Sequence, residues 1–466
     1  MVGIKGTGMA ALCELLIRRG ARVRGSDSSE VFYTDAILSR LGAGVIEDFS
    51  ASVLPERLDL VVHSAAYDPG SHPQLRAARE RGLPILSYTE ALGALSRGRP
   101  AVAVAGVHGK TTTTAMIGSI VRSADLAGEV LVGSAVSVFD GFSTFFGGVD
   151  FLVAETCEYR RNFLSFDPSV LVVTSIEADH LDYYRDEEDV FSAFLEFAGK
   201  LPEGGVLIYC ADDAGASRLA ETMGSRRPDL SLLPYGRGAE GRYGVREVRP
   251  GEGRTLFRLV GIDQDFSLRV PGDHNVLNAA AAIAATEAIS GGEGVAARDA
   301  ADLAAGIAAF AGTRRRSEII GEAGGILFLD DYGHHPTAIA STLAGLRQFY
   351  PGRRLVVSFM SHTYSRTAGL LEDFARSFGD ADVVVAHKIY ASAREAYDGQ
   401  VSGKSLAEAI ARHHDHVRYI PEVADAEDVL PRELRAGDIF LTLGAGNNWV
   451  LSHRLYETAR KEEAQA

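Results

Sequence analysis

An apolar run at residues 101–105 breaks into Gly106 and Gly109, and Lys110 and Thr111 then open a helical pattern. Few stretches restrict a fold so tightly, because a buried strand, a glycine turn and a helix start must follow one another at once. That layout is a phosphate-binding loop. Glycines let backbone N–H groups come close to phosphate oxygens, and the helix N-terminus adds a favourable dipole. Lys110 is placed to reach β- and γ-phosphates, and the Thr111 hydroxyl to sit on Mg²⁺. The stricter Walker pattern wants glycine where this chain has Val104. The strand–turn–helix context is intact.

The rest of the chain alternates short apolar runs with helical patterns, which predicts α/β domains with largely parallel sheets. Its 466 residues allow several domains. The expected divisions are 1–97, 98–314 and 315–466, the first break falling in the polar stretch Ser96-Arg-Gly-Arg-Pro100. The first block opens with a Gly3-x-x-Gly6-x-Gly8 turn and a helix carrying Met9, Leu12, Leu15 and Leu16, with Gly20 as its stop. The second carries strands at 101–105, 151–155, 170–176 and 206–210, and short alternating segments between 242 and 270 that predict antiparallel hairpins. The third has strands at 326–329, 355–359, 383–386 and 439–443. A net charge of −15 argues against nucleic acid as a partner. No apolar stretch approaches membrane-spanning length, and no signal-peptide pattern opens the chain. The glycine motif comes almost at once, which leaves open whether the chain starts upstream of Met1. Three scattered cysteines, Cys13, Cys157 and Cys210, have no metal-ligand spacing and fit a reducing, cytoplasmic setting.

Chemistry-bearing residues gather where strands end, which is where α/β sheets place ligands. Gly3, Gly6 and Gly8, with Asp27 after the next strand, resemble a dinucleotide fingerprint at altered spacing. Two readings stay open, a nucleotide diphosphate site and a packing turn. Glu155 ends an apolar strand, and His180 follows another in Ile176-Glu-Ala-Asp-His-Leu-Asp182. A carboxylate and an imidazole there suit a divalent metal, Mg²⁺ by its oxygen preference or Mn²⁺ by its tolerance of nitrogen. Asp179 and Asp182 are rival ligands, and a helix cap is the alternative for His180. Asp330-Asp-Tyr-Gly-His-His-Pro336, and His362 with Arg366, also follow strands. The arginines at 314–316 could clamp a phosphate or carboxylate.

Together these stretches resemble the Mur ligase family, ATP-dependent amide-forming enzymes of peptidoglycan precursor synthesis. The resemblance spans the chain: Gly106-Val-His-Gly-Lys-Thr-Thr112, His274-Asn275-x-x-Asn278, Gly312 with Arg315-Arg316, and Asp331-Tyr-Gly-His-His-Pro336. It is similar above all to the alanine-adding branch, through Gly3-Ile-Lys-Gly-Thr-Gly-Met9, Ile176-Glu-Ala-Asp-His180 and His362-x-Tyr-x-Arg-Thr367. It implies an α/β fold of three domains: a Rossmann-like UDP-binding domain, a central P-loop ATPase domain with a parallel sheet plus a small antiparallel sheet, and a C-terminal Rossmann-like domain. It implies ATP and Mg²⁺ as cofactors, UDP-N-acetylmuramate and L-alanine as substrates, and a monomer or weak homodimer. The alternatives are joining of a murein tripeptide to the same UDP-sugar, or a non-catalytic nucleotide sensor.

Carried over position by position, Gly106, Val107, His108, Gly109, Lys110, Thr111 and Thr112 hold ATP phosphates. Asn275, Asn278, Arg316 and Asp331 also face ATP. Thr111, Glu155 and His180 serve metals. His334, His362 and Arg366 lie toward the acceptor and the amino acid. Gly6, Thr7, Gly8, Met9, Ser26, Asp27, Ser64 and Ala65 bind the UDP-sugar. Two departures stand out, Thr156-Cys157-Glu158-Tyr159 where the branch frequently has Ala-Asp-Glu-Ser, and Ser175 where Asn is frequent. They leave the outer ligands of a second metal open. Lys200 is not assigned the carbamylated role used by sister enzymes.

Overall fold

Strand-forming apolar runs emerge as buried sheet interiors. All five residues of Ala101–Ala105 and all four of Val170–Val173 are buried, as expected of strands covered on both faces. The structure, a computed structural model, describes residues 1–180, 183–251, 253–291, 299–391, 399–444 and 446–465. Asp182 lies outside them.

The chain divides into two compact units. One comprises Met1–Val248, Phe257–Ser267 and Val276–Ala311, and the other Arg249–Leu256, Leu268–Asn275 and Gly312–Ala466.

In the first unit, the N-terminal segment builds a small parallel sheet. Arg24–Ser26 pairs with Gly44–Ile46 and Val61–His63 with Ile85–Ser87, and Val2 bridges the two pairs through Ser26 and His63. The glycine turn leads into the helix Thr7–Arg18, whose apolar face buries Met9, Leu12 and Leu15. Gly20 follows it with φ +87°, the left-handed residue that stops a helix.

A ten-stranded sheet follows, in the order Ile262–Leu268, Arg254–Leu259, Tyr243–Gly251, Ser231–Gly236, Val206–Cys210, Val170–Val173, Ala101–Ala105, Phe151–Glu155, Gly128–Val136, Phe142–Phe146. The strands either side of Ala101–Ala105 run parallel to it. The hairpins expected after residue 242 continue this same sheet at one edge. Ile262–Leu268 neighbours Arg254–Leu259 across a two-residue connection, which only an antiparallel pair allows.

Two buried carboxylates tie the N-terminal helix to this sheet. Glu14 accepts the Ser143 and Thr144 N–H groups and the Thr144 hydroxyl at 2.8–3.1 Å. Glu129 accepts both Arg19 Nε and Nη2 at 2.6 Å, and Arg99 Nη2 stands 2.5 Å away as an ion pair without hydrogen-bond geometry. Burying such groups is costly unless they are paired, and here they are.

The second unit carries a six-stranded sheet in the order Glu318–Ala323, Ile326–Asp331, Asp438–Gly444, Arg354–Met360, Val383–Ala386, Val417–Tyr419. Only the first strand runs antiparallel. Leu327, Leu329, Val357, Phe359 and Leu441 fill its core against Leu343, Phe374 and Leu406.

Candidate active site

The phosphate loop is fixed by backbone geometry before any side chain acts. Gly106 has φ +137°, and a Cβ there would lie 2.0 Å from Thr174 Oγ1, so only glycine fits. The loop is laced to the end of Val170–Val173. Val107 N–H donates to Ser175 O at 3.1 Å and His108 N–H to Ser175 Oγ at 3.0 Å. Thr174 Oγ1 donates to the Ala105 and His108 carbonyls. Ser175, read from sequence as a departure, is therefore part of the loop's support. Gly109 is the N-cap of the helix Lys110–Ser123.

Four of the expected residues converge at this helix start. Lys110 Nζ donates to the Gly106 carbonyl and lies 3.0 and 3.1 Å from the two Glu158 oxygens. Thr111 Oγ1 donates to Glu155 Oε1 at 2.8 Å, while Glu155 Oε2 accepts the Gly133 N–H at 2.8 Å. His180 Nε2 stands 3.5 Å from Glu158 Oε1 and 3.8 Å from Asp179 Oδ2. The Tyr159 ring lies 4.8 Å from the imidazole, centre to centre. Burial pulls the Lys110 ammonium down, but the Glu158, Cys157 and Glu155 charges outweigh it and hold its pKa above the usual lysine value. Burial pushes the Glu158 carboxyl up, but Lys110 and the His180 hydrogen bond more than reverse that, so it stays ionised below the usual range.

Glu158 was missed by sequence reading, which saw only a changed tetrapeptide. Its signal was an acid three residues beyond Glu155. Among the described residues, the next helix after His180 is Glu187–Ala198, and Asp186 caps it, not His180. Asn278 sits beneath the loop, its Oδ1 accepting the Thr113 hydroxyl at 3.2 Å.

At the N-terminal turn, three strand ends meet. Gly3 N–H donates to Ser26 O at 2.8 Å and Ser64 N–H to Val2 O at 2.9 Å. This brings Gly6, Thr7 and Gly8 to the same sheet edge as Ser26, Asp27, Ser64 and Ala65. No side chain caps the helix, and its first turn holds no acid, so the amides of Thr7, Gly8 and Met9 have no intrahelical partner. The Met9 side chain belongs to the core, and its amide is what the turn offers. Asp27 braces the turn, its oxygens accepting the Lys5 and Ser28 N–H groups at 2.6 and 2.8 Å.

In the second unit, residues from strand ends again gather. His334 and His362 lie 6.3 Å apart, centre to centre, and Tyr390 stacks on His362 at 5.8 Å. Arg366 Nη1 donates to the His362 carbonyl at 3.1 Å. Arg316 and Arg315 both lie over the Tyr332 ring. Arg315 is tied down, to Asp330 at 2.9 Å and to the Gly444 and Gly446 carbonyls. Asp331 accepts the Ser317 and Gly333 amides at 2.6 and 2.7 Å, so it shapes the turn. Asn275 donates to the Pro271 carbonyl at 2.6 Å.

A strand-to-helix phosphate loop with a buried lysine and flanking carboxylates, followed by a second α/β unit, defines the class, and the chain belongs to the Mur ligase family. Three family models match it in order: Mur ligase family, catalytic domain, at 1–100; Mur ligase middle domain at 104–286; and Mur ligase, glutamate ligase domain, at 315–446. The UDP-N-acetylmuramate–L-alanine ligase of Treponema pallidum (strain Nichols) is 50% identical over 465 residues, 99% of this chain and 96% of the relative. That of Desulfitobacterium hafniense (strain Y51) is 40% identical over 458 residues, 97% and 98%. Among solved structures, UDP-N-acetylmuramate-alanine ligase from Thermotoga maritima has a TM-score of 0.81 at 25% identity, covering 99% of this chain and 98% of that one. A murein peptide ligase from Psychrobacter arcticus, at 23% identity and TM-score 0.67 over 98% of each chain, shares the fold.

Proposed function

We propose that this chain joins L-alanine to the carboxylate of UDP-N-acetylmuramate at the expense of ATP, in peptidoglycan precursor synthesis. The carrying observation is the 50% identity with an alanine ligase over 99% of the chain. The Lys110–Glu158 and Thr111–Glu155 pairs at the loop support the ATP half of the reaction.

A carboxylate is a poor electrophile. Transfer of the γ-phosphoryl group makes it an acyl phosphate, and the loop amides and Lys110 hold the charge that develops on that group. The neutral amine of alanine then attacks, and the tetrahedral adduct collapses to amide and phosphate, with ADP released. The hydroxyl, carboxylate and imidazole of Thr111, Glu155 and His180 fit a divalent metal, Mg²⁺ or Mn²⁺. When bound, such a metal neutralises phosphate charge. We assign Glu158 to keep Lys110 charged and aimed at the loop. Gly106, Val107, His108, Gly109 and Thr112 line the phosphates, and Asn275, Asn278, Arg316 and Asp331 belong to ATP binding. His334, His362 and Arg366 belong to the amino acid. The turn at Gly6, Thr7, Gly8 and Met9, with Ser26, Asp27, Ser64 and Ala65, belongs to the UDP-sugar.

We assign ATP chiefly to 98–314, the amino acid to 315–466, which also carries Arg316 and Asp331, and the UDP-sugar to 1–97, in a cytoplasmic monomer or weak homodimer. Among the described residues no helix is long and apolar enough to cross a membrane.

The test compares kcat/KM for L-alanine, glycine, L-serine and the murein tripeptide with ATP and UDP-N-acetylmuramate. Alanine is expected to lead, with glycine and serine behind by roughly 10–200-fold, as a methyl-sized pocket allows. A better rate with the tripeptide overturns the assignment.

A further inference from the structure

Lys5 lies inside the N-terminal glycine turn and is only 2% exposed. A lysine is almost never so buried unless it is paired, and this one is held through its N–H, its carbonyl and its ammonium. The N–H donates to Asp27 Oδ2 at 2.6 Å. The carbonyl accepts the Thr34 hydroxyl, where the helix Thr34–Arg40 begins. The ammonium donates to the Glu30 carbonyl at 3.1 Å and to Glu47 Oε1 at 2.7 Å, and stands 3.3 Å from Asp35 Oδ1. One residue thus joins the turn to the loop after Arg24–Ser26, to the next helix, and to the residue that follows Gly44–Ile46.

An ammonium has three protons, and three acceptors here take them up. Lys5 therefore acts on the chain around the turn and not on a bound molecule. Two consequences follow for a turn assigned an anionic diphosphate. The amides of Thr7, Gly8 and Met9 begin two residues after Lys5, so a displaced Lys5 moves them first. Asp35 and Glu47 also bring two carboxylates up to the turn, and like charge facing an anion opposes its binding. The Lys5 ammonium stands against both.

We propose that Lys5 is a positioning residue for the UDP-sugar. It sets the affinity of the turn for the diphosphate without touching it, by fixing the backbone from which the amides project and by neutralising Asp35 and Glu47. The inference rests on the ligase reading above and deepens it.

The experiment measures calorimetric binding of UDP-N-acetylmuramate, and kcat and KM for all three substrates, in the unaltered enzyme, in Lys5→Met and in Glu47→Ala. Lys5→Met keeps an unbranched stem and removes the charge. It is expected to weaken binding and raise KM for the UDP-sugar about tenfold or more, with kcat and the KM values for ATP and L-alanine unchanged. The Glu47 side chain is 52% exposed, so Glu47→Ala removes one tie at little cost to folding. It is expected to shift the same two quantities in the same direction by less. Unchanged binding of the UDP-sugar in Lys5→Met, or in Glu47→Ala should Lys5→Met not fold, overturns this inference alone. So does a rise by one common factor in the KM values of all three substrates, which marks a general loss of structure. Failure of the unaltered enzyme to bind UDP-N-acetylmuramate overturns the ligase reading and this inference with it.

Discussion

Lys110 and Glu158 sit 3.0 Å apart in a buried site, so neither charge can be removed alone without stranding the other. Lys110→Ala is expected to lower turnover by about 10²–10³, the usual loss for one preorganised charge. It should also cost on the order of 3–5 kcal/mol of stability, because Glu158 is left unpaired. Adding Glu158→Gln should restore most of the stability and none of the turnover. Denaturant unfolding and ATP turnover on the single and double variants check both halves, and near-normal turnover in the single variant would remove the phosphate-loop assignment. His180 makes a contrasting case. Its ring approaches only Glu158, Asp179 and Tyr159 among the contacts above, and the next described helix is capped by Asp186. His180→Ala is therefore expected to cut the single-turnover rate of acyl phosphate formation while nucleotide binding and the thermal midpoint change little. A lowered midpoint with an unchanged rate would make it a structural histidine.

Elements matter here through their ends. The strand Ala101–Ala105, the glycine turn and the helix Lys110–Ser123 were all legible from the apolar run and the glycines, because each is a local demand of the backbone. The support of that turn was not legible. Thr174 and Ser175 hold it from a neighbouring strand, a contact that spans about 70 residues of chain. Gly106→Ala tests the element directly. The added methyl meets Thr174 Oγ1 in a backbone conformation that L side chains rarely adopt, with a strain of about 1–3 kcal/mol. Calorimetric nucleotide binding should fall more steeply than stability, since the displaced amides are the ones assigned to the phosphates. Binding at the unaltered level would show that the loop tolerates a side chain.

Across the molecule, each compact unit is held by buried charges. In the first, Glu129 joins Arg19, the residue that caps the C-terminal end of the N-terminal helix, to Arg99. Glu129→Ala is expected to cost on the order of 3–5 kcal/mol and to speed hydrogen exchange in Thr7–Arg18 above all. Uniform exchange throughout the unit would deny the tie its local role. In the second, burial pushes the Asp330 carboxyl from 3.8 up to about 6, opposed by Arg315 and the Thr442 hydroxyl and reinforced by Glu318. A raised carboxyl pKa means that the folded state holds the proton more tightly. The contribution of Asp330 thus favours folding below pH 3.8 and is lost as pH rises through about 6. The difference in unfolding free energy between the unaltered protein and Asp330→Asn should therefore fall by on the order of 3 kcal/mol between pH 4 and pH 7. A flat difference would show that Asp330 stays ionised throughout.

By itself the sequence determined the α/β character, the phosphate loop and the family, because period, glycine position and motif spacing are properties of neighbouring residues. It also placed Lys110, Thr111, Glu155 and His180 at strand or helix ends, where sheets present their ligand-binding groups. Only the tertiary structure decided that Glu158 neutralises Lys110, that Asp27 and Asp331 brace turns with both oxygens, and that the hairpins after residue 242 extend the main sheet. Those outcomes depend on which distant strands pair and which side chains they bring within hydrogen-bond reach, and no local pattern encodes a contact whose partner lies tens of residues away.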